Sequence, residues 1–191
     1  ITTEELGRLA ADYRAMLDGA SAAVLCGGLP DALPSGTYAT FATYAAEAGV
    51  PVILDADGSA DGSAVWPAAA RHPALVIAGP VAGPAGGPLQ AWTQASLARL
   101  LAAGPGAVAT MCGNVVEVRT AAGQWSATLA GPPLVSRDAL VAGLVPGIAL
   151  GWSWPDGLQH AVSLAAAVSP AGELDLVAYE RFLPKVTVTS H

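Results

Sequence analysis

Short, uncharged, mostly apolar runs separated by helical segments restrict the fold of this chain more than any other feature. Each run is followed within two residues by glycine or aspartate. A strand that is apolar on both faces is typical of a parallel sheet covered by helices. Four runs have this character: residues 22–26, 50–54, 74–78 and 107–111.

The segments between these runs carry helix signals. Thr2 and Glu5 have capping-box spacing for a helix to about residue 18, and Gly49 is placed to end a second helix over 35–48. Alternating strands and helices predict an α/β fold with a mainly parallel sheet. Residues 1–191 are expected to form one domain or the larger part of one. Further helices are predicted at about 64–71, 89–103, 136–152, 155–168 and 173–183. The sequence also predicts a hairpin at 115–119 and 124–128 and an edge strand at 186–189. Residues 79–88 are rich in Gly and Pro and are predicted to form a loop.

Composition and charge narrow the functional classes. Only 12% of the residues are charged, against about 25% in typical soluble domains, so we expect self-association or a complementing N-terminal segment to cover part of the surface. The net charge of -7 argues against a nucleic-acid partner.

The longest apolar run, residues 139–155, is shorter than a bilayer requires. Without a visible secretory signal, we expect a cytoplasmic protein that does not enter a membrane.

The two cysteines, Cys26 and Cys112, are far apart in sequence and form no metal-ligand spacing with the three histidines. We therefore expect buried free thiols and no disulfide.

Three segments in the same order along the chain resemble one protein family. They are Gly-Gly-Leu-Pro at 27–30, Ala-Gly-Val-Pro-Val-Ile-Leu-Asp-Ala-Asp-Gly at 48–58 and Asp-Ala-Leu-Val-Ala-Gly at 138–143. The order resembles the ribokinase-like (PfkB) carbohydrate kinases, particularly the branch of 1-phosphofructokinase and tagatose-6-phosphate kinase. This resemblance implies a three-layer α/β/α fold that is incomplete at its N-terminal side, because the first third of the family pattern has no counterpart here.

The resemblance implies phosphoryl transfer with Asp138 as the catalytic base. In the family a Gly-Ala-Gly-Asp turn opens a helix, and its glycines let backbone N–H groups approach phosphate. Val135, Ser136 and Arg137 stand before Asp138 in this chain and are the predicted anion hole. Taken without the resemblance, Ser136 fits an ordinary N-cap and Asp138 a first-turn carboxylate that complements the helix dipole.

Two further motifs of the family are altered. The Asn-x-x-Glu motif that organises magnesium corresponds to Gly-Pro-Val-Ala-Gly at 79–83, so no metal-binding residue is predicted. The Ser-Leu-Gly-x-x-Gly motif that lines the nucleotide site corresponds to residues 110–115. Thr110, Gly113 and Asn114 are the predicted nucleotide-binding residues, although Gly113 and Asn114 also fit a hairpin turn.

Two functions from different classes follow. One is a sugar kinase that uses ATP and Mg²⁺ and acts on a phosphorylated sugar such as fructose 1-phosphate or tagatose 6-phosphate. The other is a non-catalytic, kinase-like binding or scaffolding domain, which the altered nucleotide motifs favour.

Overall fold

The computed structural model describes residues 2–29, 32–55, 65–79, 81–83, 87–90, 93–131, 134, 136–169 and 171–191. The helices of this described part are α1 Thr3–Met16, α2 Thr37–Glu47, α3 Val65–Ala69, α4 Gln94–Ala102, α5 Arg137–Leu150, α6 Trp154–Ala167 and α7 Leu176–Phe182, with a 3-10 helix at Leu183–Lys185. The strands are β1 Ala23–Cys26, β2 Val52–Asp55, β3 Leu75–Ala78, β4 Val81–Gly83, β5 Gly87–Gln90, β6 Ala107–Cys112, β7 Val115–Thr120, β8 Gln124–Leu129 and β9 Val186–Ser190.

Seven of these strands form one mixed sheet in the order β1-β2-β3-β6-β7-β8-β9. The pairs β1–β2 and β2–β3 are parallel, whereas β7–β8 and β8–β9 are antiparallel. The predicted α/β class is therefore confirmed, including the hairpin and the C-terminal edge strand.

The Gly/Pro-rich stretch differs from its prediction as a loop, because β4 pairs with β5 in a separate antiparallel ribbon. Ladder hydrogen bonds join backbone groups, so a segment with few large side chains can still form a ribbon. The helix predicted to start at residue 89 begins instead at Gln94, where the Thr93 hydroxyl accepts a hydrogen bond from the Ser96 N–H.

The chain divides into two compact units, residues 1–108 and 109–191. In the first unit every residue of β2 and β3 is buried, as their apolar runs predicted. A single cluster of buried side chains joins the strands to the helices, with Leu25, Leu54 and Val76 packed together with Phe41 of α2 and Leu100 of α4. Strand β1 is different, because its burial alternates and Val24 is 39% exposed.

The second unit has one apolar and one polar sheet face. Val116, Val118, Ala127 and Leu129 are at most 2% exposed, and α6 contacts β7, β8 and β9. On β8 and β9, Ser126 and Thr189 instead join their hydroxyls at 2.7 Å. This alternation is the period-2 pattern of an antiparallel sheet with one covered face.

Helices α5 and α6 pack through small residues. A Cβ placed on Gly143 would lie 2.6 Å from Cα of Ala161, and one on Gly147 would lie 3.5 Å from Cα of Gly157. The glycines therefore set how closely the two backbones approach. Helix α5 ends at Gly151, whose φ of 67° is a left-handed conformation that glycine adopts without a steric penalty.

No helix in the described ranges combines the length and apolar character needed to cross a membrane.

Candidate functional site

The start of α5 is a serine-capped helix terminus, as both interpretations of the sequence required. The Ser136 Oγ accepts a hydrogen bond from the Ala139 N–H at 3.0 Å, and the Ser136 carbonyl accepts one from the Leu140 N–H at 3.2 Å. Arg137 is the first residue of the helix and Asp138 the second. Capping and the first-turn carboxylate both favour a helix that begins here.

The Asp138 carboxylate lies on the surface. Its residue is exposed, whereas Ala139 and Leu140 immediately after it are buried. The backbone N–H of Asp138 has no hydrogen-bond acceptor within the described residues. An exposed carboxylate and a backbone donor are therefore together at the positive end of the helix dipole, where an anion is favoured.

The predicted anion hole is only partly within the described structure. Ser136 and Arg137 are half-buried at the start of α5, and Val135 lies outside the described residues. The Ser136 hydroxyl occupies the Ala139 N–H, so this donor serves the cap and is not available to a ligand in this conformation.

Gly113 and Asn114 form the turn between β6 and β7, which is the hairpin turn that the sequence left as an alternative. Gly113 has a φ of 58°, and Asn114 is not among the described non-glycine residues with positive φ. A positive φ at only the first central residue matches a type II′ turn, which favours glycine there. Thr110, the third predicted nucleotide-binding residue, is half-buried on β6.

The Asn114 side chain joins this turn to the connection that leads into α5. Its Nδ2 group donates to the carbonyl oxygens of Leu129 at 3.4 Å and Gly131 at 3.2 Å. Its Oδ1 atom accepts from the Leu134 N–H at 3.2 Å. The structure thus links the predicted segment 113–114 to residues 129, 131 and 134, which precede α5, through contacts that sequence reasoning missed. The available signal was a lone amide side chain beside a turn glycine.

The described residues do not form a magnesium site. They contain no group of three or more His, Cys, Asp or Glu side chains that could hold a metal ion. The described part of the stretch after β3 contributes Gly79 and the backbone of β4, without a carboxylate. Asp138 is therefore the acidic side chain that this helix start offers to a phosphate-bound cation.

Cys26 and Cys112 are free thiols, as predicted, but both are exposed, so the prediction of burial was wrong. Each is the last residue of its strand, β1 or β6. On β1 burial alternates, so Cys26 shares the exposed face of Val24, and on β6 burial decreases along the strand towards Cys112.

The chain has the ribokinase-like α/β fold. Among solved structures, a possible 1-phosphofructokinase from Thermotoga maritima has a TM-score of 0.75 at 16% identity, and the match covers 100% of this chain and 63% of that one. Escherichia coli phosphofructokinase-2 in complex with fructose-6-phosphate gives 0.70 at 14% identity, over 96% of this chain and 62% of that one. Arabidopsis thaliana ribokinase complexed with ribose and ATP gives 0.66 at 15% identity, over 90% and 58%.

These neighbours are sugar kinases, and the resemblance predicted from the motifs is confirmed for the fold. The chain spans less than two thirds of the length of each of the three. No protein-family model and no curated protein matches the sequence.

Proposed function

We propose that this chain is a carbohydrate kinase domain of the cytoplasm that transfers a phosphoryl group from ATP to a hydroxyl of a sugar or sugar phosphate. The observation that carries the proposal is the start of α5, where an exposed Asp138 carboxylate meets a backbone N–H that has no acceptor among the described residues. The fold supports it, since neighbours of this fold are complexed with fructose-6-phosphate in one case and with ribose and ATP in another.

In the proposed phosphoryl transfer, one group at the start of α5 acts as the base and other groups there favour the charge of the phosphate. Asp138 accepts the proton of the attacking sugar hydroxyl, which then bonds to the γ-phosphorus as the bond to the ADP oxygen breaks. The Asp138 N–H, the helix dipole and the Arg137 guanidinium favour the negative charge of the phosphoryl oxygens. ATP would supply the phosphoryl group, and magnesium brought with it would offset the charge of the phosphates.

The first experiment measures ATP binding by titration calorimetry with magnesium present, followed by ADP release with fructose 1-phosphate, tagatose 6-phosphate, fructose-6-phosphate or ribose. Asp138→Asn removes the base with little change in shape. We expect kcat to fall by about 10²-fold or more, which is the usual contribution of a general base. No binding at millimolar ATP would refute the kinase proposal.

Asp156→Asn is the matched control. Asp156 is also a first-turn aspartate of a serine-capped helix, because the Ser153 Oγ caps the start of α6 and lies 2.6 Å from Asp156 Oδ2. Asp138→Asn and Asp156→Asn each remove a first-turn carboxylate, so both lose a similar favourable interaction with a helix dipole. Because Asp156 is not part of the proposed site, Asp156→Asn should leave kcat within about twofold. Equal losses from the two substitutions would show that Asp138 acts only on the helix.

A specific observation favours the non-catalytic alternative. The Ser136 hydroxyl occupies one N–H at the helix start, and Arg137 stands where the family has glycine. The triple variant Val135→Gly, Ser136→Ala, Arg137→Gly recreates the family turn and frees the Ala139 N–H. Activity that appears only in the triple variant supports a binding domain without catalysis. Turnover by the unaltered chain refutes that alternative.

The sheet edge supports the proposal that the protein self-associates or takes up a complementing segment. Strand β1 ends the sheet order, so in the described structure its outer edge has no paired strand. Unpaired strand edges template the addition of another strand. Light scattering of the intact chain should therefore show assembly, and Val24→Lys should reduce it. A monomer at all concentrations would contradict this proposal.

A further inference from the structure

Asn114 uses both ends of its side-chain amide on the connection between β8 and α5. The amide nitrogen faces two carbonyl oxygens, and the amide oxygen takes a backbone N–H two residues before the Ser136 cap. A side chain that satisfies several backbone groups of one segment restricts that segment more than any single bond would.

The strand register explains why Asn114 reaches this connection. Val115 pairs with Thr128 across the β7–β8 ladder, so the residue before Val115 stands beside the residue after Thr128. The turn at Gly113 places Asn114 at this end of the hairpin, next to the point where the chain leaves β8.

The backbone that Asn114 holds is irregular. Gly131 has a φ of 149°, a conformation that L side chains rarely adopt, and Leu134 is 8% exposed. No helix or strand ladder fixes these two residues, because both lie between β8 and α5. The amide of Asn114 and the burial of Leu134 are therefore the contacts that hold the described part of the connection.

We infer that Asn114 is a positioning residue, which fixes the start of α5 so that Ser136, Arg137 and Asp138 present their backbone and side-chain groups in one orientation. Asn114 acts through the connection and its amide is already in use, so it differs from the nucleotide contact predicted from the sequence. The role of the helix start as a phosphoryl site rests on the proposed function.

The first measurement does not depend on activity. Amide hydrogen exchange is followed at Leu134, which donates to Asn114, and at Ala139, which donates to the Ser136 cap. Asn114→Asp keeps the shape and the acceptor for Leu134, but it replaces the donor with an anionic oxygen that faces two carbonyls. Asn114→Ala removes all three bonds. Both variants should exchange about tenfold faster at Ala139, consistent with the loss of one or two net hydrogen bonds.

Thr120→Val is the control. The Thr120 hydroxyl also organises a turn, because its Oγ1 accepts from the N–H groups of Ala122 and Gly123. That turn lies at the opposite end of β7, roughly 20 Å from Asn114 given the rise of a strand. Its loss should leave exchange at Leu134 and Ala139 within about twofold of the original rate.

The second measurement uses ATP and the sugar that the chain accepts. Asn114→Asp should weaken ATP binding and lower kcat by about tenfold each, while KM for the sugar stays unchanged. A general loss of stability would instead change all constants in parallel with the unfolded fraction, which near-UV circular dichroism reports.

The outcomes separate the two proposals. Unchanged exchange at Ala139 in both Asn114 variants overturns the positioning role, whatever the chain does with ATP. Faster exchange together with unaltered ATP affinity and kcat overturns it as well. Faster exchange in a chain that binds no ATP supports Asn114 as the residue that fixes α5 and refutes the kinase proposal alone.

Discussion

Helices α5 and α6 touch at their backbones, whereas α1 is held to α2 by side-chain rings across a groove. A partly open pocket of about 20 Å³ lies beside the α5–α6 contact, and the groove between α1 and α2 measures about 370 Å³. Seven residues of α6 are buried but none of α1. The α5–α6 contact thus has no room for a methyl group at Gly143, whereas the α1–α2 contact lies beside an open groove.

The difference lies in which atoms make the contact. Gly143 and Ala161 place main chain against main chain, and main-chain atoms in a helix cannot rotate away from a contact as a side chain can. Tyr13 and Phe41 stack with their ring centres 4.8 Å apart, and the Arg14 guanidinium carbon lies 3.5 Å from the centre of the Tyr44 ring. Rings and guanidinium groups can adopt another rotamer, so substitutions in α1 should cost much less than those in α5.

The substitution Gly143→Ala gives the strongest test of this comparison. The new Cβ would stand 2.6 Å from Cα of Ala161, so the helices must separate. Overpacking of this kind costs about 1–3 kcal/mol, which urea unfolding would measure as a lower free energy of unfolding.

Gly157→Ala on α6 is the control for that substitution, because its Cβ would meet nothing within 4 Å. A helix gains up to about 1 kcal/mol when alanine replaces glycine, so this variant should be neutral or more stable. If both glycines tolerate alanine equally, the close approach of the helices does not govern stability.

The difference between the two helix contacts could be predicted only in part from the sequence. The capping box at Thr2 and Glu5, the glycine end of α2 and the serine start of α5 were predictable because each depends on neighbours within four residues. The contact of Gly143 with Ala161 spans two helices, and sequence spacing does not reveal which faces meet.

The candidate site divides in the same way. Ser136 and Asp138 were placed correctly at a helix start, since caps are local signals. The bonds from Asn114 to Leu129, Gly131 and Leu134 cross 15 to 20 residues. They follow from the hairpin register, which composition and periodicity do not fix.

The substitution Tyr13→Phe should change the free energy of unfolding by less than Gly143→Ala does, and in the opposite direction. The Tyr13 hydroxyl is buried with no hydrogen-bond partner in the described structure, and burial raises the pKa of this phenol. Removing an unsatisfied polar group should raise the free energy of unfolding by about 1 kcal/mol. A loss of stability in urea would mean that the hydroxyl has a partner that the static contacts do not show.

The substitution Arg14→Ala tests the other ring contact of α1. Losing an exposed cation–π contact should cost about 0.5–1 kcal/mol, measured by thermal unfolding. Arg8→Ala is the comparison, since Arg8 and Glu4 form an ion pair whose side chains are 69% and 81% exposed. Its effect should be near zero, and a larger loss from Arg8 would reverse the ranking.

The smallest effect concerns His160, which lies on α6 and meets α7. Its Nδ1 atom is 2.6 Å from the Tyr179 hydroxyl, and its ring also contacts Trp152. Burial lowers the pKa of His160 below its ordinary value of 6.5. Glu180 is a charged group that acts on Tyr179, the partner of His160.

Because the folded-state pKa is the lower one, the unfolded chain takes up a proton first as the pH falls. The contribution of His160 is therefore complete above about pH 6.5 and declines as the pH falls below that value. The difference in unfolding free energy between the original chain and His160→Gln should shrink as the pH drops from 7. A difference independent of pH would contradict this.

Asn114 is the only asparagine among the 191 residues. Asparagine labelled with ¹⁵N would therefore give one side-chain amide pair in an NMR spectrum, from the group that holds the entrance to α5. The chemical shift of that pair would report whether Asn114 keeps its hydrogen bonds to the connection during nucleotide titration, heating or mutation. The rest of the protein would not need resonance assignment.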